Sequence, residues 1–238
     1  MSKMIGIIGA MKVEVDNIVA LITDCKKVEI AKKSFFTGKI SDIDVVVCEC
    51  GVGKVNASVT TSLMCEKFNV SFIINTGVAG GIGDIKPLSL VIAKDFCYHD
   101  FDLSPIGYQK GVIPGLGKVF NTDDKLRELL VMIAESNGFN YTVGNIASGD
   151  IFATKKNIID NLGMDITAVE MEGAAIAHVC KLYDMPFIAL RVISDILEEE
   201  NQTVSFNEVE KQAAEKALLF VCEIIRQIAI DKKNNNIV

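Results

Sequence analysis

Short apolar runs alternate with helical patterns across the chain, and several of the runs end in glycine or in Ser-Asp. Strands buried on both faces read as such continuous apolar runs. A helix between strands is the crossover that a parallel pair requires. The runs fall at residues 4–8, ending at Gly9, and at 34–40 and 45–50, separated by the polar turn Ser41-Asp42. They continue at 72–75, which leads into Thr76-Gly77-Val78-Ala79-Gly80-Gly81-Ile82-Gly83, and at 88–96. Further runs cover 142–147, ending in Ser148-Gly149-Asp150, 166–169, leading into Glu170-Met171-Glu172, and 186–193, ending in Ser194-Asp195. Periodicity predicts helices over 11–22, 54–68, 123–136 (capped by Thr122), 156–162, 174–180 and 206–228. No composition break marks a linker. The pattern implies one α/β domain over residues 1–230, with a mixed, largely parallel β-sheet flanked by helices, and a disordered polar tail over 231–238.

Composition narrows the partners. A net charge of -7 argues against a general electrostatic footprint for nucleic acid but leaves a small nucleoside open. No apolar stretch reaches the roughly 18 residues of a membrane helix. Met1-Ser2-Lys3 passes directly into a strand-like run, so no signal peptide is expected. Seven scattered cysteines without Cys-x-x-Cys suit a reduced, cytoplasmic protein with neither disulfides nor zinc. There are two histidines, His99 and His178, and no Gly-x-Ser-x-Gly, so a Ser-His-Asp site has no support. Gly51-Val52-Gly53-Lys54 lacks the spacing of a phosphate loop, and no Gly-x-Gly-x-x-Gly is present to imply a nicotinamide or flavin cofactor. No cofactor and no metal are expected.

What remains is carboxylate chemistry: Glu14, Glu170, Glu172 and Asp195, with Arg191 four residues before Asp195. Residues i and i+2 of a strand share a face. Glu170 and Glu172 therefore point the same way or sit where strand bends into helix. Alone, Glu172 would most simply cap the helix that follows. Arg191 lies in an apolar strand where an unpaired guanidinium is costly, so it needs a carboxylate; Glu172 or Glu14 is the natural partner. A structural ion pair and a functional one both satisfy that need. The irregular segment 98–121 is long enough to be functional or an interface.

Taken in order, Gly9-Ala10-Met11 with Glu14, Gly51-Val52-Gly53-Lys54, Asn75-Thr76-Gly77-Val78-Ala79-Gly80-Gly81, Ser148-Gly149-Asp150, Val169-Glu170-Met171-Glu172-Gly173 and Arg191-Val192-Ile193-Ser194-Asp195 resemble the nucleoside phosphorylase/hydrolase family. The closest branch hydrolyses 5'-methylthioadenosine and S-adenosylhomocysteine. The resemblance implies a nucleoside phosphorylase-like fold and cleavage of the bond between adenine and a 5'-thio-substituted ribose, without a cofactor. It implies Asp195 as the general acid toward the purine, supported by Ser194, and Glu14 as the base that activates water, with Arg191 helping to place it. Glu172 and the Met171 backbone would hold the ribose. Phe152 would stack on adenine and the Ala153 backbone would bond its edge. Met11, Val52 and Phe206 would line the ribose and alkylthio side, Val78 and Ala79 would border the sugar or water, and Glu170 would support the purine pocket. The family also implies a homodimer in which residues near Ile106 reach the neighbouring site. Rival readings are a phosphorylase of the same family, a hydrolase of other purine nucleosides such as aminofutalosine or AMP, and a non-catalytic nucleoside-binding or storage homologue.

Overall fold

The computed structural model describes residues 3–199 and 202–234. The chain runs β1 (Met4–Gly9), α1 (Lys12–Val19), β2 (Thr23–Ile30), β3 (Lys33–Ile40), β4 (Ile43–Glu49), α2 (Lys54–Lys67), β5 (Val70–Gly81) and β6 (Leu90–Tyr98). It continues through β7 (Phe120–Asn121), α3 (Asp124–Ser136), β8 (Tyr141–Ser148), β9 (Ile166–Glu170), α4 (Gly173–Leu182), β10 (Phe187–Ile196) and α5 (Gln202–Lys233). The strands form one mixed α/β sheet. Parallel pairs join β1 to β4 and β5, β5 to β10, and β8 to β6 and β9. Antiparallel pairs join β2 to β3, β3 to β4, β6 to β7 and β10, and β5 to β9.

These pairings close a ring. β5 is long enough to meet β1 along residues 70–75, β10 along 73–81, and β9 at its last two residues. β9 leads through β8 and β6 back to β10. Helices cover both faces. The apolar sides of α1, α3 and α5 share one core with Ile5, Ile7, Ile74 and Leu190. Those of α2 and α4 share another with Ile8, Val46, Ile73 and Phe96. Side chains at alternate positions of β1 and β5 thus feed opposite cores, as a period of two requires.

Several elements depart from the sequence expectation. The strand expected over 72–75 is longer, running from Val70 through the glycine-rich stretch to Gly81. β2 is an additional edge strand whose residues are exposed except for partly covered Ile30, so it offers no buried apolar run to detect. The cap of α3 is Asp123, whose carboxylate accepts the Leu126 N–H at 2.9 Å; the Thr122 hydroxyl instead lies 2.9 Å from the carbonyls of both Ala93 and Lys94. The 156–162 helix is one 3-10 turn, Lys156–Ile159. Helix α5 begins at Gln202 and continues to Lys233, so residues 231–233 of the expected tail are helical, and residues 235–238 lie outside the described ones. His178 is structural: its Nδ1 lies 3.2 Å from the Tyr98 hydroxyl and its ring stacks on Phe120 at 4.7 Å.

Candidate active site

Residues at or just past the ends of β1, β4, β5, β8, β9 and β10 line one cavity of about 210 Å³. Met11, Glu14, Val52, Val78, Ala79, Phe152, Ala153, Glu170, Met171, Glu172, Ser194, Asp195 and Phe206 all border it. Two residues named from the sequence do not. Arg191 is buried behind the wall, and Ile106 sits in an exposed 3-10 turn, Ser104–Ile106.

Glu14 lies in the first turn of α1, 5% exposed. Its Oε2 accepts the N–H groups of Ala10 at 2.7 Å and Met11 at 3.0 Å, and its Oε1 accepts the Val78 N–H at 3.1 Å. Burial raises its pKa, opposed by these N–H donors and by the charge of Arg191. A Cβ on Gly77 would fall 2.7 Å from Glu14 Oε1, so β5 carries glycine there because the carboxylate fills the space. The sheet therefore fixes Glu14 between two strands rather than leaving it on a free helix surface.

The partner of Arg191 is Glu170, not Glu172 or Glu14. Arg191 Nη2 donates to Glu170 Oε2 at 2.6 Å and also to Asn75 Oδ1, and Nη1 donates to the Leu190 carbonyl at 2.9 Å. Both members of the pair are buried. Glu170 further accepts the N–H groups of Glu172 at 3.1 Å and Gly173 at 2.8 Å, and the Ser148 hydroxyl. It is therefore Glu170 that caps α4, at the end where a negative charge is favoured. That releases Glu172, which sits at the N-cap position without a side-chain cap bond. Its Oε1 instead accepts the Gly53 N–H at 2.7 Å, across the cavity wall. Gly53 adopts φ +97°, and a Cβ there would lie 3.0 Å from Asp150 Oδ1, so glycine suits this turn on both counts. Burial first, then the charge of Glu170, push the Glu172 pKa up.

Asp195 sits at a register shift in β10, where the strand slips one residue against β5. Its Oδ1 accepts the Ser194 hydroxyl at 2.6 Å. Its Oδ2 accepts the side-chain amide of Gln202 at 2.7 Å, and the same nitrogen donates to the Ala153 carbonyl at 2.8 Å. Phe152 and Phe206 meet edge to face at 5.5 Å over this part of the cavity.

Sequence reasoning missed Ala10, Gly80, Ile151 and Val169 on the wall, and Ser148, Asn75 and Gln202 in the hydrogen-bond network. Ser148 and Asn75 both lie in stretches that the motifs already marked, Ser148 at the end of β8 and Asn75 in the middle of β5. Gln202 carries no signal: it is one of two adjacent amides, Asn201-Gln202, in a polar stretch.

A closed strand ring whose cavity has apolar and aromatic walls around buried carboxylates defines an α/β protein with the concave, mostly apolar kind of site that takes a small molecule. The chain belongs to the phosphorylase superfamily, whose family model matches residues 4–226. A 5'-methylthioadenosine/S-adenosylhomocysteine nucleosidase of Haemophilus influenzae is 37% identical over 228 residues, covering 94% of this chain and 99% of its own. One from Glaesserella parasuis is 35% identical over 229 residues, with the same coverage. The solved structure of the Neisseria meningitidis nucleosidase in complex with methylthio-immucillin-A has a TM-score of 0.90 at 33% identity, covering 95% of this chain and all of that one. The Helicobacter pylori futalosine hydrolase has a TM-score of 0.89 at 30% identity, covering 94% and 98%.

Proposed function

We propose that this protein hydrolyses the N-glycosidic bond of 5'-methylthioadenosine and S-adenosylhomocysteine, giving adenine and the 5-thio-substituted ribose. The observation that carries the hydrolytic reading is the charge of the cavity wall. Glu14, Glu170, Glu172 and Asp195 border it, and no lysine or arginine does among the described residues. Phosphate needs cationic donors, and the nearby Arg191 is already held by Glu170 and Asn75. Water is the nucleophile that such a wall accepts.

Cleavage builds positive charge on the ribose and negative charge on the purine. Asp195, fixed by Ser194 and placed beside the Ala153 carbonyl, is the general acid that protonates the leaving purine. Glu14, fixed by three backbone N–H groups, activates the attacking water on the sugar side. Glu172 holds the ribose hydroxyls and, when ionised, favours the oxocarbenium-like state over the neutral substrate. Arg191, behind the wall, and its partner Glu170, in the wall, position this set. Phe152 stacks on the purine, while Met11, Val52 and Phe206 give the 5' side an apolar surface suited to a thioether. The protein acts in the cytoplasm, in methionine salvage. It works as a homodimer in which residues near Ile106 reach the partner's site; the exposed apolar side chains of Val52, Val55 and Val59 support a covered face beside the cavity.

The test is Asp195→Asn. The variant should unfold at nearly the parental temperature and lose adenine release from methylthioadenosine. Parental turnover would remove Asp195 from the mechanism.

A further inference from the structure

The side chain of Gln202 is used by none of the steps above, yet it holds two of the groups they need. One nitrogen, Nε2, bridges Asp195 Oδ2 at 2.7 Å and the Ala153 carbonyl at 2.8 Å. Gln202 is 6% exposed, so this is an enclosed contact and not a surface one. A carboxamide NH2 is a planar nitrogen with two hydrogens, and here the two acceptors take one hydrogen each. The exocyclic amino group of a 6-aminopurine is also a planar nitrogen with two hydrogens. On the proposed function, on which this inference rests, Asp195 and the Ala153 backbone are the groups that meet the purine edge.

We infer that Gln202 is the protein's own stand-in for the purine amino group, and that the nucleoside binds by displacing it. Its position supports displacement. Gln202 is the first residue of α5, and Phe206 lies four residues along, on the same helix face. Phe206 borders the cavity and meets Phe152 at 5.5 Å, so the first turns of α5 touch the purine end at two points. A swing of the Gln202 side chain frees both acceptors at once. Until it swings, part of the nucleoside's binding energy goes to breaking the internal contact, and apparent affinity is reduced by the fraction of protein that holds it. Gln202 is therefore an affinity-determining residue whose effect is opposite to that of a positioning residue. Removing it strengthens binding.

The experiment compares wild type with Gln202→Ala and Gln202→Leu. It measures adenine affinity by titration calorimetry and kcat/KM for methylthioadenosine, with thermal unfolding as a check on folding. Adenine affinity and kcat/KM should both rise about tenfold, the scale of a hydrogen bond to a charged group less what water returns. A fall in kcat/KM would mean that Gln202 orients Asp195 for chemistry, and unchanged adenine affinity would mean that it does not compete; either overturns the proposal. Should both variants unfold, a crystal structure of wild type with adenine decides. Gln202 Nε2 should then lie beyond hydrogen-bond reach of Asp195 Oδ2, and an intact contact would overturn the inference. Wild-type protein that neither binds adenine nor cleaves methylthioadenosine would instead count against the proposed function itself.

Discussion

Replacing Glu170 by glutamine keeps its size but removes its charge. The Glu170 carboxylate receives Arg191 at 2.6 Å, the N–H groups of Glu172 and Gly173, and the Ser148 hydroxyl. A glutamine has one acceptor oxygen in place of two, so it can serve the helix end or the guanidinium, but not all four donors. Arg191, 2% exposed, is then left with Asn75 and backbone carbonyls as its only partners among the described residues. Removing one member of a buried pair costs about 3–5 kcal/mol. Losing only a helix cap costs about 1 kcal/mol. At about 2–4 °C per kcal/mol for a chain of this size, the larger figure corresponds to a fall of roughly 6–20 °C in the unfolding midpoint. Circular dichroism melts and urea unfolding of Glu170→Gln and of the double variant Glu170→Gln/Arg191→Met measure it. The double variant removes the orphaned charge and should recover a good part of the loss. A single variant within about 1 kcal/mol of the parent, or a double variant no more stable than the single, would refute the argument that Glu170 exists to hold Arg191.

Burial and the charge of Glu170 raise Glu172 from the ordinary 4.5 to about 8. An acid whose pKa is raised by folding binds its proton more tightly in the folded state, so its stabilising contribution is full below 4.5 and is lost as pH rises through about 8. The midpoint difference between wild type and Glu172→Gln should therefore favour wild type more at acidic than at alkaline pH, and a difference that does not vary with pH would contradict the raised value. Gly77→Ala places a methyl 2.7 Å from Glu14 Oε1. It should displace the carboxylate from the Val78 N–H and cost about 100-fold in kcat, and a near-parental kcat would show that this placement does not matter.

Most of the strands that build the cavity were legible because buried strands write themselves as apolar runs. The apolar run at 72–75 marks this strand but not its length, because the glycines that follow carry no apolar pattern. β5 stays in the sheet to Gly81, and its small residues leave room for Glu14 at Gly77 and for Leu197 and Asp195 at Gly80. The need of Arg191 for a carboxylate was legible too, but which one was not. Glu170 and Glu172 are separated by a single residue, and only the bend at the start of α4 turns the first toward the guanidinium and the second toward Gly53. β2 escaped because an exposed edge strand carries no apolar pattern. Gln202 escaped because its meaning lies entirely in the two oxygens that the fold brings to it, from β10 and from the segment after β8.

Hydrolysis is the reaction favoured by a wall that, among the described residues, carries no lysine or arginine for phosphate. It is tested most directly by incubating the protein with 5'-methylthioadenosine, with and without inorganic phosphate, and identifying the sugar released. Free methylthioribose at the same rate under both conditions is the predicted result. A sugar phosphate formed only when phosphate is present would contradict it.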